Sequence, residues 1–574
     1  MNALIEISDL TYRPEDLPPD RQAILHGINL EIEPGSFTAL IGPNGSGKTT
    51  LLKQMGGLLL PTIGQVLVNG LDTRDLENHR NLRSMIGMVF QNPADQIVAS
   101  TVEEDIAFGL ENANLPTATI RERVAEQLVY VGLTEDVARP PHLLSGGQIQ
   151  KCALAGVLAR QPNILLFDEP TSMLDSLSRK TFLQQIKLLH SQGMTIVYVT
   201  HHMDEAFQAD RLMVLQDGQI KMLGSPKEVR QNYNKLHEIG LELPGVVVMA
   251  DKLRALGWDL PSELHTEEDL INSLPHFEHQ TSLGSVKTSQ NDQAIIIDVD
   301  DVYYTYLADT PLAKPALQGA SLSVSAGEIH GLAGSNGSGK STLLQHLNGI
   351  LRPVHGRVQV GSLEVEKPET PLKEVIKKVG LVFQSPESQF FEIFVGDEIA
   401  YGPKQINMGE LRERVKTAMA QVGLDFEAFK DRRLETLSGG EKRKVAIAST
   451  IILDQDILLF DEPTAGMDPQ SRDELLALFR NLSADGKTIL MASHRLEEMA
   501  TVTQSLSVMK GGKVVNSGST QQVLKDNEVL FQAQLEPPFA IVISHHLIEK
   551  GWPITDLDTS TPDRLVACLK KVMK

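Results

Sequence analysis

A length of 574 residues, with 41% hydrophobic and 22% charged residues, is typical of a globular protein with more than one core. The formal net charge of −21 argues against broad electrostatic binding to nucleic acid, which requires clustered Lys and Arg. Two cysteines cannot form a disulfide framework, and no run reaches the ~20 apolar residues that span a bilayer, so any membrane role is expected to depend on a partner.

Short apolar runs alternate with helical patterns along the chain in two similar sets. The first set lies at 37–41, 163–167 and 195–200. The second set follows in the same order at 328–332, 456–460 and 488–493. Buried strands that alternate with helices pair in parallel. The fold class is therefore predicted to be α/β, with parallel sheets covered by helices.

Three short motifs accompany these runs, each present twice and in the same order. They are a glycine-rich loop, a Leu-Ser-Gly-Gly sequence, and an apolar strand that ends in Asp-Glu-Pro. The pairs lie at 42–49 and 334–341, 144–148 and 437–441, and 164–170 and 457–463. The offset is 292 residues between Lys48 and Lys340 and 293 residues between Asp168 and Asp461. This nearly constant period indicates the tandem duplication of one unit.

The glycine-rich loops match the P-loop pattern, which predicts phosphate binding. Glycines allow successive backbone N–H groups to converge on an anion at the positive end of the following helix. Lys48 and Lys340 are expected to reach the β- and γ-phosphates of ATP, and Thr49 and Ser341 to ligate Mg²⁺. The other loop residues expected to bind ATP are Gly42, Asn44, Gly45, Ser46, Gly47, Thr50, Gly334, Asn336, Gly337, Ser338, Gly339 and Thr342.

The Asp-Glu pairs supply the remaining chemistry of the predicted sites. Asp168 and Asp461, each at the end of an apolar strand, are expected to hold Mg²⁺ directly or through water. Glu169 and Glu462 are placed to orient and polarise the attacking water, which is the positioning work that phosphoryl transfer requires. The sequence therefore predicts hydrolysis of ATP with Mg²⁺ as the metal.

Together these motifs resemble those of the ATP-binding-cassette (ABC) ATPases over nearly all of residues 1–520, and Leu-Ser-Gly-Gly is the discriminating signature. The resemblance implies two tandem P-loop NTPase domains, each with a helical signature subdomain and a small C-terminal extension. It implies that each signature completes the ATP site of the opposite domain, the Ser438 motif at Lys48 and the Ser145 motif at Lys340. The signature residues implied to contact ATP are Ser145, Gly146, Gly147, Gln148, Ser438, Gly439, Gly440 and Glu441.

Two further pairs of residues match positions of that family. Gln91 and Gln384 match the glutamine loop, which touches Mg²⁺ and nucleotide and reports to a partner. His201 and His494, each after an apolar strand, match the switch histidine that contacts the γ-phosphate. Because neither half lacks its P-loop lysine, its glutamate or its histidine, both composite sites are predicted to hydrolyse ATP.

The resemblance also locates the domain-crossing loop and the aromatic residue that stacks on adenine. Asp175 and Asp468 match the crossing D-loop. Tyr306 matches the adenine-stacking position in the second half, whereas Pro14 occupies that position in the first half. Tyr12, two residues earlier, is the candidate substitute.

The repeat also extends past the ATPase motifs. The only two tryptophans, Trp258 and Trp552, are 294 residues apart and are expected to be core residues. The polar stretch 275–292 is the expected linker. Four segments are predicted: ATPase domain 1 at 1–222, a small extension and linker at 223–293, ATPase domain 2 at 294–517, and a second extension at 518–574.

The segments after the glutamine loops, 91–109 and 384–402, resemble those of the energy-coupling-factor (ECF) transporter ATPases, which serve importers of vitamins and of cobalt or nickel ions. The resemblance implies a docking groove for the coupling helices of a transmembrane partner, and a separate small membrane protein that binds the substrate. It implies a peripheral protein on the cytoplasmic face of the cell membrane, with its two ATPase domains paired within one chain and no nucleic acid bound. The same carboxylate-rich segments are also compatible with ordinary solvated helix starts.

Two other functional classes stay open at this point. One is a soluble tandem ABC ATPase that acts on ribosomes or nucleic acid, and the other is the double ATPase of a sugar importer. The first usually has a long charged linker between its domains, and the second usually has eroded motifs in its second half. Neither feature is present here, and the transported substrate is not encoded in this chain.

Overall fold

The computed structural model describes residues 3–14, 23–144, 146–172, 174, 176–241, 243–261, 264, 267–277, 294–310, 313–555 and 557–573. These residues form two compact units, Met1–Leu243 and Pro244–Lys574. Each unit contains one copy of the duplicated motifs on an α/β framework, which confirms the predicted fold class. The expected linker falls mostly outside the described residues, because 278–293 are not among them.

The first unit contains two sheets. Its strands are β1 Ile5–Tyr12, β2 Leu25–Ile32, β3 Phe37–Ile41, β4 Ile63–Val68, β5 Leu71–Asp72, β6 Ile86–Val89, β7 Ile164–Asp168, β8 Thr195–Val199, β9 Arg211–Gln216 and β10 Gln219–Gly224. One sheet is antiparallel with the order β2-β1-β4-β5. The other has the order β10-β9-β3-β8-β7-β6, and in it only the β9–β10 pair is antiparallel.

Strand β3 leads into the P-loop and is buried along its whole length. Phe37, Ala39 and Ile41 point into a core that they share with the helices on one face of the sheet, whereas Leu40 joins the core beneath the antiparallel sheet. A continuous apolar run is what a parallel strand covered on both faces requires. The double cover therefore explains why this segment shows no polar alternation.

Helices cover this sheet and form a separate subdomain. Their bounds are α1 Lys48–Met55, α2 His79–Met85, α3 Val102–Asn112, α4 Thr117–Val131, α5 Gly146–Leu158, α6 Ser176–Ser191, α7 Met203–Ala206, α8 Pro226–Arg230 and α9 Tyr233–Glu238. Thr101 caps α3, because its hydroxyl accepts the Glu104 N–H at 3.3 Å. Helices α3, α4 and α5 share an apolar core that includes Ile106, Leu128 and Cys152, and they form the predicted helical signature subdomain.

The second unit repeats both sheets. Its strands are β11 Ile295–Tyr306, β12 Lys314–Ser325, β13 Ile329–Ala333, β14 His355–Val360, β15 Leu363–Glu364, β16 Val379–Val382, β17 Ile457–Asp461, β18 Thr488–Ser493, β19 Ser505–Lys510 and β20 Lys513–Ser519. The antiparallel sheet has the order β12-β11-β14-β15. The six-stranded sheet has the order β16-β17-β18-β13-β19-β20. The P-loop strand β13 lies between β18 and β19, as β3 lies between β8 and β9 in the first unit.

The helices of the second unit fall into two groups. Those of the ATPase part are α12 Lys340–Leu347, α13 Leu372–Lys378, α14 Val395–Gln405, α15 Leu411–Gln421, α16 Phe426–Phe429, α17 Gly439–Ile451, α18 Pro469–Ala484, α19 Leu496–Val502, α20 Thr520–Leu524 and α21 Asn527–Gln532. The others are α10 Gly245–Arg254, α11 Glu267–Ser273, α22 Phe539–Glu549 and α23 Pro562–Val572. We call this second group the helical body.

The helical body has one apolar core to which both predicted extensions contribute. The rings of Trp258 and Trp552 lie 5.0 Å apart, and the ring of Phe277 lies 4.9 Å from that of Trp552. The indole N–H of Trp552 donates to the Pro275 carbonyl oxygen at 2.9 Å. Within the predicted extension 223–293, α8 and α9 belong to the first unit, while described residues between Val246 and Phe277 pack with the end of the chain.

Within the described residues, no helix combines the length and apolar character that crossing a membrane would need.

Candidate nucleotide-binding sites

Each P-loop connects a buried strand to the first turn of a helix. In the first unit the loop joins β3 to α1, and Gly45 and Gly47 have φ angles of +76° and +99°. A side chain at Gly47 would also meet Leu25 Cδ2 at 2.8 Å, so both backbone conformation and space require glycine there. Gly337 and Gly339 have φ angles of +78° and +106° in the second unit, so the two loops have the same shape.

The P-loop lysines are buried and bend back into their own loops. The ammonium group of Lys48 donates to the carbonyl oxygens of Gly42 and Pro43 at 2.8 and 2.9 Å. That of Lys340 donates to the carbonyl oxygens of Gly334 and Ser335 at 2.6 and 3.2 Å. These contacts keep each cation at the loop, where a phosphate group would be bound.

The hydroxyl group after each lysine faces the strand-end aspartate. Thr49 donates to Asp168 Oδ1 at 3.0 Å, and burial together with the charge of Glu169 raises the pKa of Asp168 to about 6. Burial also raises the pKa of Asp461 to about 6, although a hydrogen bond from Ser341 opposes the shift. Both carboxyl groups therefore lie in surroundings that penalise a negative charge.

These hydroxyl–carboxyl pairs fit a magnesium ion bound together with phosphates. Asp461 Oδ1 is buried and has no hydrogen-bond partner within the described part of the chain. Mg²⁺ is usually held by one or two protein oxygen ligands together with substrate phosphates and water, rather than by an all-protein cage. The described residues contain no group of three or more His, Cys, Asp or Glu side chains arranged to hold a metal.

In the first unit, the structure brings the predicted glutamate, histidine and glutamine together. Glu169 Oε1 lies 2.5 Å from His201 Nε2, and Gln91 donates to Glu169 Oε2 at 2.9 Å. Burial alone would raise the pKa of Glu169, but the His201 ring and the charge of Lys48 outweigh it and lower that pKa. Glu169 therefore stays ionised, as a group that polarises water requires.

The second unit has the same carboxylate–histidine pair with a different set of neighbours. Glu462 Oε1 lies 3.0 Å from His494 Nδ1 and 3.6 Å from Lys340 Nζ. Burial opposes ionisation here too, but His494 and Lys340 lower the pKa of Glu462. The carboxylate thus bridges the P-loop lysine and the predicted switch histidine.

Both glutamates have an unusual backbone conformation. Glu169 and Glu462 have φ angles of +45° and +46°, in the left-handed region that costs a non-glycine residue roughly 1–3 kcal/mol. Each is tied to the neighbouring strand, since their N–H groups donate to the carbonyl oxygens of Val199 at 3.0 Å and Ala492 at 2.9 Å. The same backbone strain therefore occurs in both copies.

The signature motifs begin helices α5 and α17. Ser438 caps α17, and Glu441 returns the bond, since its carboxylate accepts the Ser438 N–H at 2.7 Å. In the first unit, Gln148 donates to Asp136 Oδ2 at 2.9 Å. Gly146, Gly147, Gly439 and Gly440 form the first turns of the two helices. Ser145 and the D-loop residue Asp175 lie outside the described residues.

The remaining predicted residues differ between the units. The Tyr306 hydroxyl lies 3.2 Å from Thr342 Oγ1, so this exposed tyrosine reaches the P-loop helix. Tyr12 ends β1 and packs against the core beneath the antiparallel sheet. Asp468 caps α18 by accepting the Ser471 N–H at 2.8 Å. Gln384 follows β16, as Gln91 follows β6.

A buried glutamate that the motif analysis missed lies behind each predicted switch histidine. Glu205 accepts hydrogen bonds from Thr171 at 2.8 Å, Thr200 at 2.7 Å and Tyr198 at 3.1 Å. It therefore connects the segment after Glu169 to the segment that carries His201. The signal was available in the sequence, since the repeat places a glutamate four residues after each of the two histidines.

Its counterpart in the second unit is equally buried. Glu498 accepts a hydrogen bond from Thr464 at 2.5 Å and pairs with Arg495 at 2.8 Å. A second missed residue, Arg443 on α17, donates to the main-chain oxygen of Glu462 at 3.1 Å. The repeat could not have indicated it, because Gln150 occupies the equivalent position in the first half.

Comparison with known proteins agrees with this geometry. The ABC transporter family model matches residues 25–172 and 317–465, which contain both P-loops and both Asp-Glu pairs. A Caldanaerobacter subterraneus protein described as an ABC transporter ATP-binding protein is 32% identical over 95% of this chain and 96% of its own length. A Methanosarcina acetivorans protein with the same description is 31% identical over 96% of this chain and 90% of its own length.

A third relative matches less of the chain at higher identity. It is the energy-coupling factor transporter ATP-binding protein EcfA1 of Symbiobacterium thermophilum, 49% identical over 44% of this chain and 88% of its own length. The family model matches both P-loop units, and the first two relatives match over at least 90% of both chains. These matches decide the family. The chain is an ATP-binding ATPase with two cassettes and belongs to the ABC transporter family.

Proposed function

We propose that this chain is the ATPase subunit of an ECF-type importer of a vitamin or a transition-metal ion. The observation that carries the proposal is the 49% identity to EcfA1 over 251 residues, well above the 32% and 31% found for the relatives of full length. In the proposed assembly the chain lies on the cytoplasmic face of the cell membrane. Its partners are a transmembrane coupling protein and a small membrane protein that binds the substrate.

Exposed apolar side chains after each glutamine loop support a docking role. In the second unit the ring of Phe391 is 74% exposed and stacks on Tyr401 at 5.3 Å between centroids, and Ile393 beside it is 57% exposed. In the first unit Val98 and Phe108 occupy the positions of Phe391 and Tyr401 and are also exposed. Apolar groups exposed at the same place in both copies are typical of a surface that binds another protein.

The proposed mechanism begins with ATP bound on both P-loops. Each nucleotide is bound completely only when the signature motif of the opposite unit reaches it, so ATP favours a closed pair of units. Closure would move the two docking surfaces and with them the coupling protein. Hydrolysis and release of products would then reopen the pair.

Within each site we assign roles to the residues that the geometry brings together. Lys48 and Lys340 bind the phosphates, and Glu169 and Glu462 orient and polarise the attacking water. His201 and His494 hold these carboxylates and contact the γ-phosphate. Mg²⁺, when bound, neutralises phosphate charge, and the residues proposed to hold it are Thr49, Gln91, Asp168, Ser341, Gln384 and Asp461.

The proposal is tested by purifying the tagged chain from detergent-solubilised membranes of its own organism and identifying the proteins that come with it. We expect one multi-span coupling protein and one small membrane protein, and the second would identify the substrate. Recovery with ribosomes or nucleic acid, and without a membrane protein, would overturn the transport assignment. Recovery with the permease subunits of a sugar importer would overturn the ECF assignment alone.

A further inference from the structure

The two ATPase units differ in how the main chain of the predicted catalytic glutamate is held. In the second unit, Arg443 Nη1 donates to the main-chain oxygen of Glu462 at 3.1 Å. Gln150 occupies the equivalent position in the first unit, and within the described residues its side-chain amide nitrogen has no hydrogen-bond partner. Both side chains are buried, with exposures of 6% for Arg443 and 1% for Gln150.

Burial of a guanidinium group costs free energy unless other groups compensate its charge. Arg443 belongs to α17, the helix that starts at the signature motif, and its side chain extends to the end of β17. The carboxylates of Glu462, Glu387 and Asp461 supply favourable charge around it. Arg443 therefore joins the signature helix to the strand end that carries Asp461 and Glu462.

The surroundings of this arginine are also specific to the second unit. Lys442, the preceding residue, pairs with Glu387 at 3.1 Å, and Glu387 lies three residues after the predicted glutamine-loop residue Gln384. The equivalent residues in the first unit are the uncharged Ile149 and Ala94. The second unit thus has an ionic connection between the glutamine-loop segment and α17 at a place where the first unit has uncharged side chains.

The hydrogen bond acts on a residue whose backbone needs support. Glu462 has a φ angle of +46°, and such strain persists only where the surroundings fix it. Its main-chain oxygen also accepts the Ala465 N–H at 3.3 Å, and the oxygen of Glu169 accepts the Ser172 N–H at 3.2 Å. The bond from α17 is the additional restraint in the second unit.

We infer that Arg443 is a positioning residue that fixes the main chain of Glu462 for ATP hydrolysis, and that the first unit works without an equivalent restraint. The inference rests on the catalytic role proposed for Glu462. The two ATP sites are therefore not equivalent in this chain, although their motifs are complete in both halves. The site built on Lys340 depends on the signature helix of its own unit, and the site built on Lys48 does not.

The test is steady-state ATP hydrolysis by the purified full-length chain carrying Arg443→Gln, which installs the residue of the first unit. We expect the kcat of the second site to fall about 10-fold with an unchanged KM for ATP, because small misplacement of a catalytic group slows the chemical step more than binding. Arg443→Lys keeps the charge and a donor, and it should retain most of the activity. Lys444→Gln is the matched control, since it removes a charge from the adjacent residue, which pairs with Glu474.

Each variant is measured in the otherwise unchanged chain and in the Glu169→Gln background, where any remaining turnover belongs to the second site. A kcat for Arg443→Gln within twofold of Lys444→Gln in both backgrounds would overturn the inference, as would a fall in kcat accompanied by a lowered melting temperature. Glu462→Gln distinguishes the catalytic role of Glu462 from the positioning role of Arg443. Normal turnover in Glu462→Gln would refute the proposed catalytic role, whereas a strong loss there with normal Arg443→Gln would refute the positioning role alone.

Discussion

Glu169 and Glu462 are both buried, both have a left-handed backbone conformation, and each pairs with a histidine. In both, the neighbouring histidine ring and the P-loop lysine lower the carboxyl pKa against the opposing effect of burial. A carboxylate that stays ionised can accept a hydrogen bond from an attacking water and so orient and polarise it. The strained backbone and the ionised carboxylate occur in both copies, which favours two active sites.

Replacement of either glutamate by glutamine tests this argument. If the two sites are active and coupled, Glu169→Gln alone and Glu462→Gln alone should each lower ATP turnover by roughly 100-fold, the usual contribution of a general base, with ATP binding retained. Turnover is measured by phosphate release, and binding by a fluorescent nucleotide. Glu126→Gln, on an exposed face of α4, is the control. Equal and near-normal turnover in both variants would contradict two coupled working sites.

Glu205 gives a second prediction at this scale. Glu205→Gln places an amide donor among three hydroxyl groups that now donate to the carboxylate, so the segment carrying His201 should lose its fixed position. We expect kcat to fall about 10-fold while the KM for ATP changes little. Glu126→Gln again serves as the control for a lost surface carboxylate. A rise in KM with unchanged kcat would show that Glu205 serves nucleotide binding and not the histidine loop.

At the scale of elements, the fully buried strands were the most predictable. Runs such as 37–41 and 457–461 are fully buried and apolar apart from Thr38 and the terminal Asp461, because both faces of the parallel sheet are covered, and this pattern has few alternatives. The glycine pattern located the P-loops, and the end of an apolar strand located the Asp-Glu pairs. Local sequence therefore predicted the elements that hold the chemistry.

Contacts between distant segments were not predictable in the same way. The motif spacing separates Trp258 from Trp552 by 294 residues, and nothing local indicates that their rings meet at 5.0 Å. The burial of Arg443 could not be predicted either, because a basic residue on a helix is usually exposed to solvent. Both depend on tertiary packing, which a motif comparison does not contain.

The helical body offers a stability prediction at the element scale. Leu547 on α22 is fully buried in its core, so Leu547→Ala should destabilise the body by about 2–5 kcal/mol. Both tryptophans of the chain lie in this core, so intrinsic tryptophan fluorescence during urea unfolding reports on the unfolding of this core. Phe531→Ala is the control, because that ring is 83% exposed. Equal midpoints for the two variants would contradict a single core built from both ends of the unit.

At the scale of the whole molecule, the proposed import function requires that the ATPase and the membrane partner act through the docking surfaces. Phe391→Ser removes the most exposed ring beside the glutamine loop of the second unit. We expect it to lower co-purification of the coupling protein while ATP turnover of the isolated chain stays unchanged, because the surface lies outside the nucleotide site. Phe531→Ser is a matched control, since it removes a ring of similar exposure elsewhere in the same unit. Equal loss of co-purification in both variants would show that exposed rings bind the coupling protein nonspecifically and would contradict a docking role for Phe391.

In the proposed cycle, nucleotide binding is converted into movement of the membrane partner. Lys48→Ala combined with Lys340→Ala removes both cations that the P-loops hold, so neither nucleotide can favour the closed pair. Membrane assembly should survive, because the docking surfaces contain neither lysine. ATP-dependent uptake of the substrate, identified by co-purification, should then fall to the level without ATP in vesicles that contain the full complex. Normal uptake by the double variant would refute the coupling of ATP to transport through this chain, and loss of assembly would show that nucleotide binding and docking are one event.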